Sequence, residues 1–393
     1  MAKKRNRANG EGWIGELKRN GSVVGYRASI YIGRNSNGKE IRKQFTGKTK
    51  REVTDKLNKY KAEMVLGTVP SDDKITLSEW FYSWLFEYRI KDLKPKSFEK
   101  YEGIYRNYIK DSEIGRIKLK DLRTTHLQRY YNKLENQYNK PISTIKSLNT
   151  RLKPCLGDAE KQGYIQKNYC KMVNLPKSNN HKDVDILTKH EQQKFIEYIK
   201  GHKLEVFFLT ALGTGLRLGE LLGLKWSDIN FDTGVITVSR NLSRAKNKIT
   251  GKYEIIEQIP KTKNSYREVP IPANILNKLK EHKKLQNKQR LFVGESYIHN
   301  NYIFTDDIGK PIDDKRPGRN LKSILKKLNI KPIKFHALRH TYATRLFENN
   351  IPPKTVQALM GHSDISVTMD IYTHVMNDTK LEAVEKLNDI FIV

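Results

Sequence analysis

Up to Phe45 the apolar residues of this chain recur roughly every second position; beyond Gly47 they recur at three and four. That single change of period constrains the fold more than any other feature. Before it, Trp13 to Leu17, Val23 to Ile32 and Ile41 to Phe45 read as three antiparallel strands. They are divided by Arg19-Asn20-Gly21 and by the run from Gly33 to Gly38, where Gly and Asn accept positive φ. After it, Val53, Leu57, Tyr60 and Met64 form one helical stripe that covers the sheet.

Pro70 and Ser71-Asp72-Asp73 read as a linker, so a first domain of three strands and a helix is expected over residues 1–68. The next helix opens on a capping box, Thr76 with Glu79, and carries Leu77, Trp80, Phe81, Trp84, Leu85 and Tyr88 on one face. Pro95 opens a second, with Phe98, Tyr101, Tyr105, Tyr108 and Ile109 on its stripe. Thr125 and Gln128 cap a third that carries Leu127, Tyr131 and Leu134. A fourth runs from Ser143 to Gln162, with Pro154 expected to kink or split it. These make a four-helix domain over residues 74–175, closed by the polar stretch LPKSNNHKDV. From 185 to 393 the chain is mostly helical, with one β interruption at 234–240, 255–259 and 267–271. The fold class is therefore α+β, mainly α, in three domains.

Lys and Arg number 74 against 43 Asp and Glu, a formal surplus of +31 at pH 7. Counterion release draws such a chain onto nucleic acid. Tyr26, Arg27, Arg42 and Lys43 interleave aromatic and basic groups on the predicted strands, which points to a small sheet laid into a DNA groove. Lys94, Lys96 and Lys100, opposite the aromatic stripes, are further DNA-contact candidates. No run approaches the roughly 20 apolar residues of a membrane span, and MAKKRNR is not followed by an apolar secretion core. Two cysteines, Cys155 and Cys170, supply neither a disulfide framework nor a zinc set. A cytoplasmic protein without membrane contact is expected.

Three stretches concentrate the chemistry. In TGLRLGE, Gly213 and Gly215 break one helix, and Arg217 starts the next with Glu220 as its internal partner; an arginine among apolar neighbours needs a carboxylate or phosphate. In HALRHTYAT, His336 and Arg339 share a helix face with His340 adjoining. The HxxxH spacing is a zinc half-site without a third ligand, so no metal is expected. In LMGHSDISVTMDIYTH, Gly361 is a left-handed helix stop, His362 leaves it, and a short helix ends close to Tyr372. Between the first two lies PKTKNSYREVP, a basic turn that leads into a strand.

In this order the motifs resemble the tyrosine recombinase family, at finer grain the integrases of conjugative transposons and temperate phages. The resemblance spans the whole chain. It implies an arm-binding domain, a core-binding domain and a catalytic domain, and places catalytic roles on Arg217, Lys261, His336, Arg339, His362 and the nucleophile Tyr372, with Glu220 supporting the first arginine. Lys263 is the alternative to Lys261. It further implies double-stranded DNA as partner, at element ends and target, a homo-tetramer docked through Leu381 to Val393, and an excisionase as helper. Two fixed guanidinium forks and a histidine donor suit the charge on phosphoryl oxygens, and cations around a phenol near pKa 10 favour its attack. One ester replaces another, so neither ATP nor a metal cofactor is called for. Two rivals stand beside this reading. A type IB topoisomerase shares the chemistry, and a DNA-binding regulator would use the same cations only to grip phosphate.

Overall fold

The computed structural model describes residues 12–19, 21–34, 39–65, 74–176, 185–258 and 266–376, and the chain divides into two compact units, 1–178 and 179–393.

In the first unit, β1 (Trp13–Arg19), β2 (Ser22–Arg34) and β3 (Glu40–Gly47) form an antiparallel sheet in chain order. Helix α1 (Lys50–Val65) covers one face, burying Val53, Leu57 and Tyr60 against Ala28 and Ile30. Strand alternation then sorts the DNA candidates. Tyr26 packs with Ile14 and Phe45 on the covered face, and Lys43 lies beside the Tyr60 ring. Arg27 stacks on Trp13, and Arg42 pairs across from Tyr31, so these two stand on the open face. The four candidates are therefore divided between the two faces of the sheet.

The same unit holds α2 (Leu77–Ser83), α3 (Pro95–Ile104), α4 (Thr124–Asn136) and α5 (Ile142–Lys161). The Thr76–Glu79 capping box forms as the residues dictate. Helix α2 runs on as a π-helical turn, Trp84–Tyr88. The extra residue in that turn rotates Tyr88 off the stripe, and it is 54% exposed instead of buried. A second correction concerns α4: Arg123 is its N-cap, with His126 Nδ1 accepting the Arg123 N–H at 3.2 Å. Gln128 instead bridges to both backbone groups of Asn174. The core packs Trp80, Phe81, Trp84, Leu127, Tyr131, Leu148 and Leu152. Its two indoles are satisfied by the Cys155 carbonyl (3.1 Å) and the Asp158 carboxylate (2.8 Å).

In the second unit, α6 (Lys189–Tyr198) opens on the Thr188–Glu191 capping box. The apolar helix α7 (Glu205–Thr214) runs through the core, followed by the short α8 (Leu218–Leu222). The β interruption is two sheets. β4 (Ile229–Asn230), β5 (Val235–Val238) and β8 (Arg267–Pro270) form one, and the hairpin of β6 (Asn241–Lys246) and β7 (Tyr253–Gln258) forms the other, so β6 is a strand the pattern did not single out. Then come α9 (Ala273–Val293), α10 (Arg316–Lys327), α11 (His336–Glu348), α12 (Pro353–Met360) and α13 (Ser366–Met376). Ala343, Phe347, Val356, Met360 and Ile371 join the last three into a small core of their own. Among the described residues, no helix is long and apolar enough to cross a membrane.

Pro154 neither splits nor ends α5, which runs unbroken because Leu148, Leu152, Cys155, Leu156 and Ala159 bury its face on both sides of the proline. An interior proline costs a helix about 3 kcal/mol, offset by roughly 1 kcal/mol through the stiffer unfolded chain. Pro154→Ala should therefore stabilise this unit by about 1–3 kcal/mol, read as a raised unfolding midpoint in circular dichroism; an unchanged or lower midpoint counts against it.

Candidate active site

Arg217 is the N-cap of α8, and its side chain stays 38% exposed. Glu220, buried, accepts its backbone N–H at 2.8 Å and its guanidinium at 2.8 Å. The helix break before it falls at Gly215, which takes φ +60 as the cap of α7. A Cβ there would lie 2.3 Å from the Tyr342 ring. Gly213, expected to share in the break, lies inside α7, where a Cβ would strike Ile275 at 2.1 Å. Its role is close packing.

Sequence reasoning missed Arg267. The buried side chain binds Glu220 with both terminal nitrogens, at 2.7 and 3.1 Å, and donates from Nε to the Leu359 carbonyl at 3.0 Å. The signal was present: counting back by twos from buried Val269 and Ile271 turns Arg267 inward. Burial pushes the Glu220 carboxyl up, but the hydrogen bond and charge of Arg267, then those of Arg217, outweigh it and hold the group at about 2.

Arg339, on α11, is 2% exposed. It donates to the Gly215 carbonyl at 2.6 Å and to the Met360 carbonyl, while Arg217 reaches the Gly361 carbonyl at 2.9 Å. Three guanidinium groups from three distant stretches thus end on the consecutive carbonyls of Leu359, Met360 and Gly361, at the negative end of α12. Gly361 caps that helix at φ +62, where a Cβ would meet Arg267 at 2.9 Å. Burial, then the charge of Arg217, pulls the Arg339 guanidinium down to about 9, still charged at neutral pH. Its buried Nε has no hydrogen-bond partner among the described residues.

His336 is the first residue of α11, its ring edge-on to His340 at 4.7 Å. His362 follows Gly361, and its Nδ1 lies 2.8 Å from Thr368 Oγ1. Burial first, then Arg339 and Arg217, lowers the pKa of both His336 and His362, the latter to about 3. Both shifts favour the neutral ring, which can donate without adding charge.

Helix α13 continues to Met376, so Tyr372 sits inside it and not at its end. The half-buried ring packs edge-on to Phe347 at 5.1 Å, which keeps it at the rim of the α11–α12–α13 core, without a hydrogen bond to the arginines or histidines among the described residues. The structure thus gathers Arg217, Glu220, Arg267, Arg339, His336 and His362 around one helix end and sets Tyr372 on the neighbouring helix. Lys261 and Lys263 lie outside the described residues, as does Leu381 to Val393. Among the described residues, no three His, Cys, Asp or Glu side chains group to hold a metal.

Two comparisons with families and three with single proteins bear on this arrangement. Residues 185–378 match the phage integrase family, and residues 76–135 match the phage integrase N-terminal SAM-like domain. A tyrosine recombinase XerC-like protein of Caldanaerobacter subterraneus subsp. tengcongensis is 44% identical over 378 residues, 93% of this chain and 96% of that protein. In fold, the chain resembles the Tn1549 transposon integrase in complex with a circular intermediate DNA (TM-score 0.66, 23% identity, 80% of this chain and 99% of that one). It also resembles lambda integrase in a tetramer bound to a Holliday junction (TM-score 0.52, 20% identity, 89% and 95%). The family matches and the 44% identical relative together define an enzyme of DNA strand exchange. The chain belongs to the phage integrase family and is a tyrosine-type site-specific recombinase.

The depressed Glu220 carboxyl carries a stability consequence whose sign is fixed. Its folded value of about 2 lies below the ordinary 4.5, so its contribution is complete above about pH 5 and is lost as pH falls through 4.5 towards 2. The shift corresponds to roughly 3 kcal/mol. Glu220→Gln should destabilise the second unit by about 3–5 kcal/mol at neutral pH and flatten the loss of stability below pH 4.5 in urea titrations; a slope equal to that of the parent would contradict the ion cluster.

Proposed function

We propose that this recombinase cuts and rejoins DNA strands through a 3′-phosphotyrosine intermediate, with Tyr372 as nucleophile, and so integrates and excises a mobile genetic element. The observation that carries the reading is the convergence of Arg217 and Arg339 on the adjacent carbonyls of Gly361 and Met360, just before His362. Guanidinium donors gathered in one place suit a phosphate that displaces the carbonyls, and the Nε of Arg339, without a partner among the described residues, is a buried cationic N–H suited to a phosphoryl oxygen.

In the proposed step the Tyr372 oxygen forms a bond to phosphorus as the bond to the 5′ oxygen breaks. Negative charge on the non-bridging oxygens is met by the two guanidinium forks, with His362 as a neutral donor. His336 takes the phenol proton, and Lys261 or Lys263 protonates the leaving 5′ oxygen. The freed 5′ hydroxyl of a second strand reverses the reaction, so the exchange conserves ester bonds and needs neither metal nor nucleotide. Glu220 and Arg267 act on this chemistry by fixing Arg217.

The same reading gives residues 1–68 to arm-type DNA sites, through the open sheet face with Arg27 and Arg42, and residues 74–175 to the core site, through lysines such as Lys96 and Lys100. It pairs element-end and target duplexes in a homo-tetramer joined by Leu381 to Val393, with an excisionase setting direction.

A nicked element-end duplex tests it. The parent protein should leave a protein-linked band on a denaturing gel. Tyr372→Phe should bind the duplex as tightly and give none, and an adduct from that variant would reject the nucleophile. Lys261→Ala and Lys263→Ala separate the two acids: loss through the true one is restored when the leaving oxygen is replaced by sulfur, which departs without a proton. Site-independent relaxation of supercoiled DNA would favour a topoisomerase instead.

A further inference from the structure

His362 is held from two sides. Its main chain belongs to α12, where Gly361 N–H bonds the Ala358 carbonyl at 3.1 Å and His362 N–H bonds the Gln357 carbonyl at 3.3 Å, the paired bonds of a left-handed helix stop. The Gln357 side-chain amide also donates to the His362 carbonyl at 3.2 Å. The ring, by contrast, belongs to α13, through the 2.8 Å contact between Nδ1 and Thr368 Oγ1. Thr368 is wholly buried. It stands four residues before Tyr372, so the two share a face of the helix one turn apart.

A helical threonine commonly turns its hydroxyl to the carbonyl four residues back. Thr341 does so to Ala337 at 2.9 Å and Thr373 to Met369 at 2.8 Å. Thr368, the third residue of α13, has no carbonyl of its own helix four residues back, and its hydroxyl meets the imidazole. If the ring donated to it, the buried Thr368 O–H would have no acceptor among the described residues, at a cost of about 1–3 kcal/mol. The hydroxyl therefore donates to Nδ1, and the proton of the neutral ring sits on Nε2.

We propose that Thr368 is a positioning residue, which fixes His362 as the Nε2–H tautomer and ties its ring to the helix that bears Tyr372. Donor and nucleophile then enter the site in one register. A rotation of α13 that misaims the phenol also releases the imidazole, so strand cleavage is confined to the arrangement in which both are in place. This role rests on the function proposed above, in which His362 donates to the phosphate.

The test follows adduct formation on nicked element-end DNA. Thr368→Val keeps the shape and removes the hydroxyl, and should slow the adduct about 10-fold or more with DNA affinity unchanged. Thr368→Ser should restore the rate to within about 3-fold, because the donor is back. Thr368→Ala is read in the same way as valine and guards against a valine that unfolds the unit. On a His362→Ala background, Thr368→Val should add no more than about a 2-fold loss, since a residue that acts through His362 has nothing left to position. A valine variant as fast as the parent, a serine variant as slow as valine, or equal losses on both backgrounds would overturn the role. Absence of any adduct from the parent protein is a different failure: it overturns the proposed function, and this role with it.

Discussion

Three guanidinium groups share one small volume because Glu220 and the last carbonyls of α12 give their N–H groups somewhere to go. Two like charges about 4 Å apart repel by roughly 4 kcal/mol in a protein surface environment, so Arg217, Arg267 and Arg339 would drive one another apart if left alone. Glu220 meets Arg217 and Arg267 at once, at 2.8 and 2.7 Å. Arg267 in turn reaches Leu359, so the single carboxylate links α8, β8 and α12. Every other feature of the site, from the glycine stop at 361 to the neutral imidazoles, is arranged around that link.

Much of the frame was legible in the residues. The capping boxes at Thr76 and Thr188 follow from a hydroxyl and a carboxylate three positions apart, and both form. The cap of α4 was not legible, because there an imidazole nitrogen does the work that the pattern assigns to carboxylates and amides. The π-turn at Trp84–Tyr88 has no composition signal, and it alone moves Tyr88 to the surface. In the site, Arg217 and Glu220 are paired by local spacing. Arg267 is different: alternation turns it inward, but its partner lies 47 positions away and no local rule names it. Least legible of all are the acceptors at Leu359, Met360 and Gly361, since backbone carbonyls carry no sequence signature.

The amino-terminal sheet shows the same division between composition and geometry. Basic and aromatic residues are interleaved along its strands, yet composition does not say which face they occupy. The helix over Ala28 and Ile30 decides that, and it takes Tyr26 and Lys43 to its own side. What remains outward is Arg27, Tyr31 and Arg42, a narrower and more directional set.

The carbonyl row at the end of α12 also bears on which anions can occupy the site. Inorganic phosphate or a nucleotide approaching it finds most of the donors already engaged and must compete with a helix terminus that never diffuses away. For a polymeric phosphodiester, contacts made elsewhere along the polymer can supply the free energy to rearrange the donors. The internal acceptors thus set a cost that an isolated anion meets alone and a polymer can share with its other contacts.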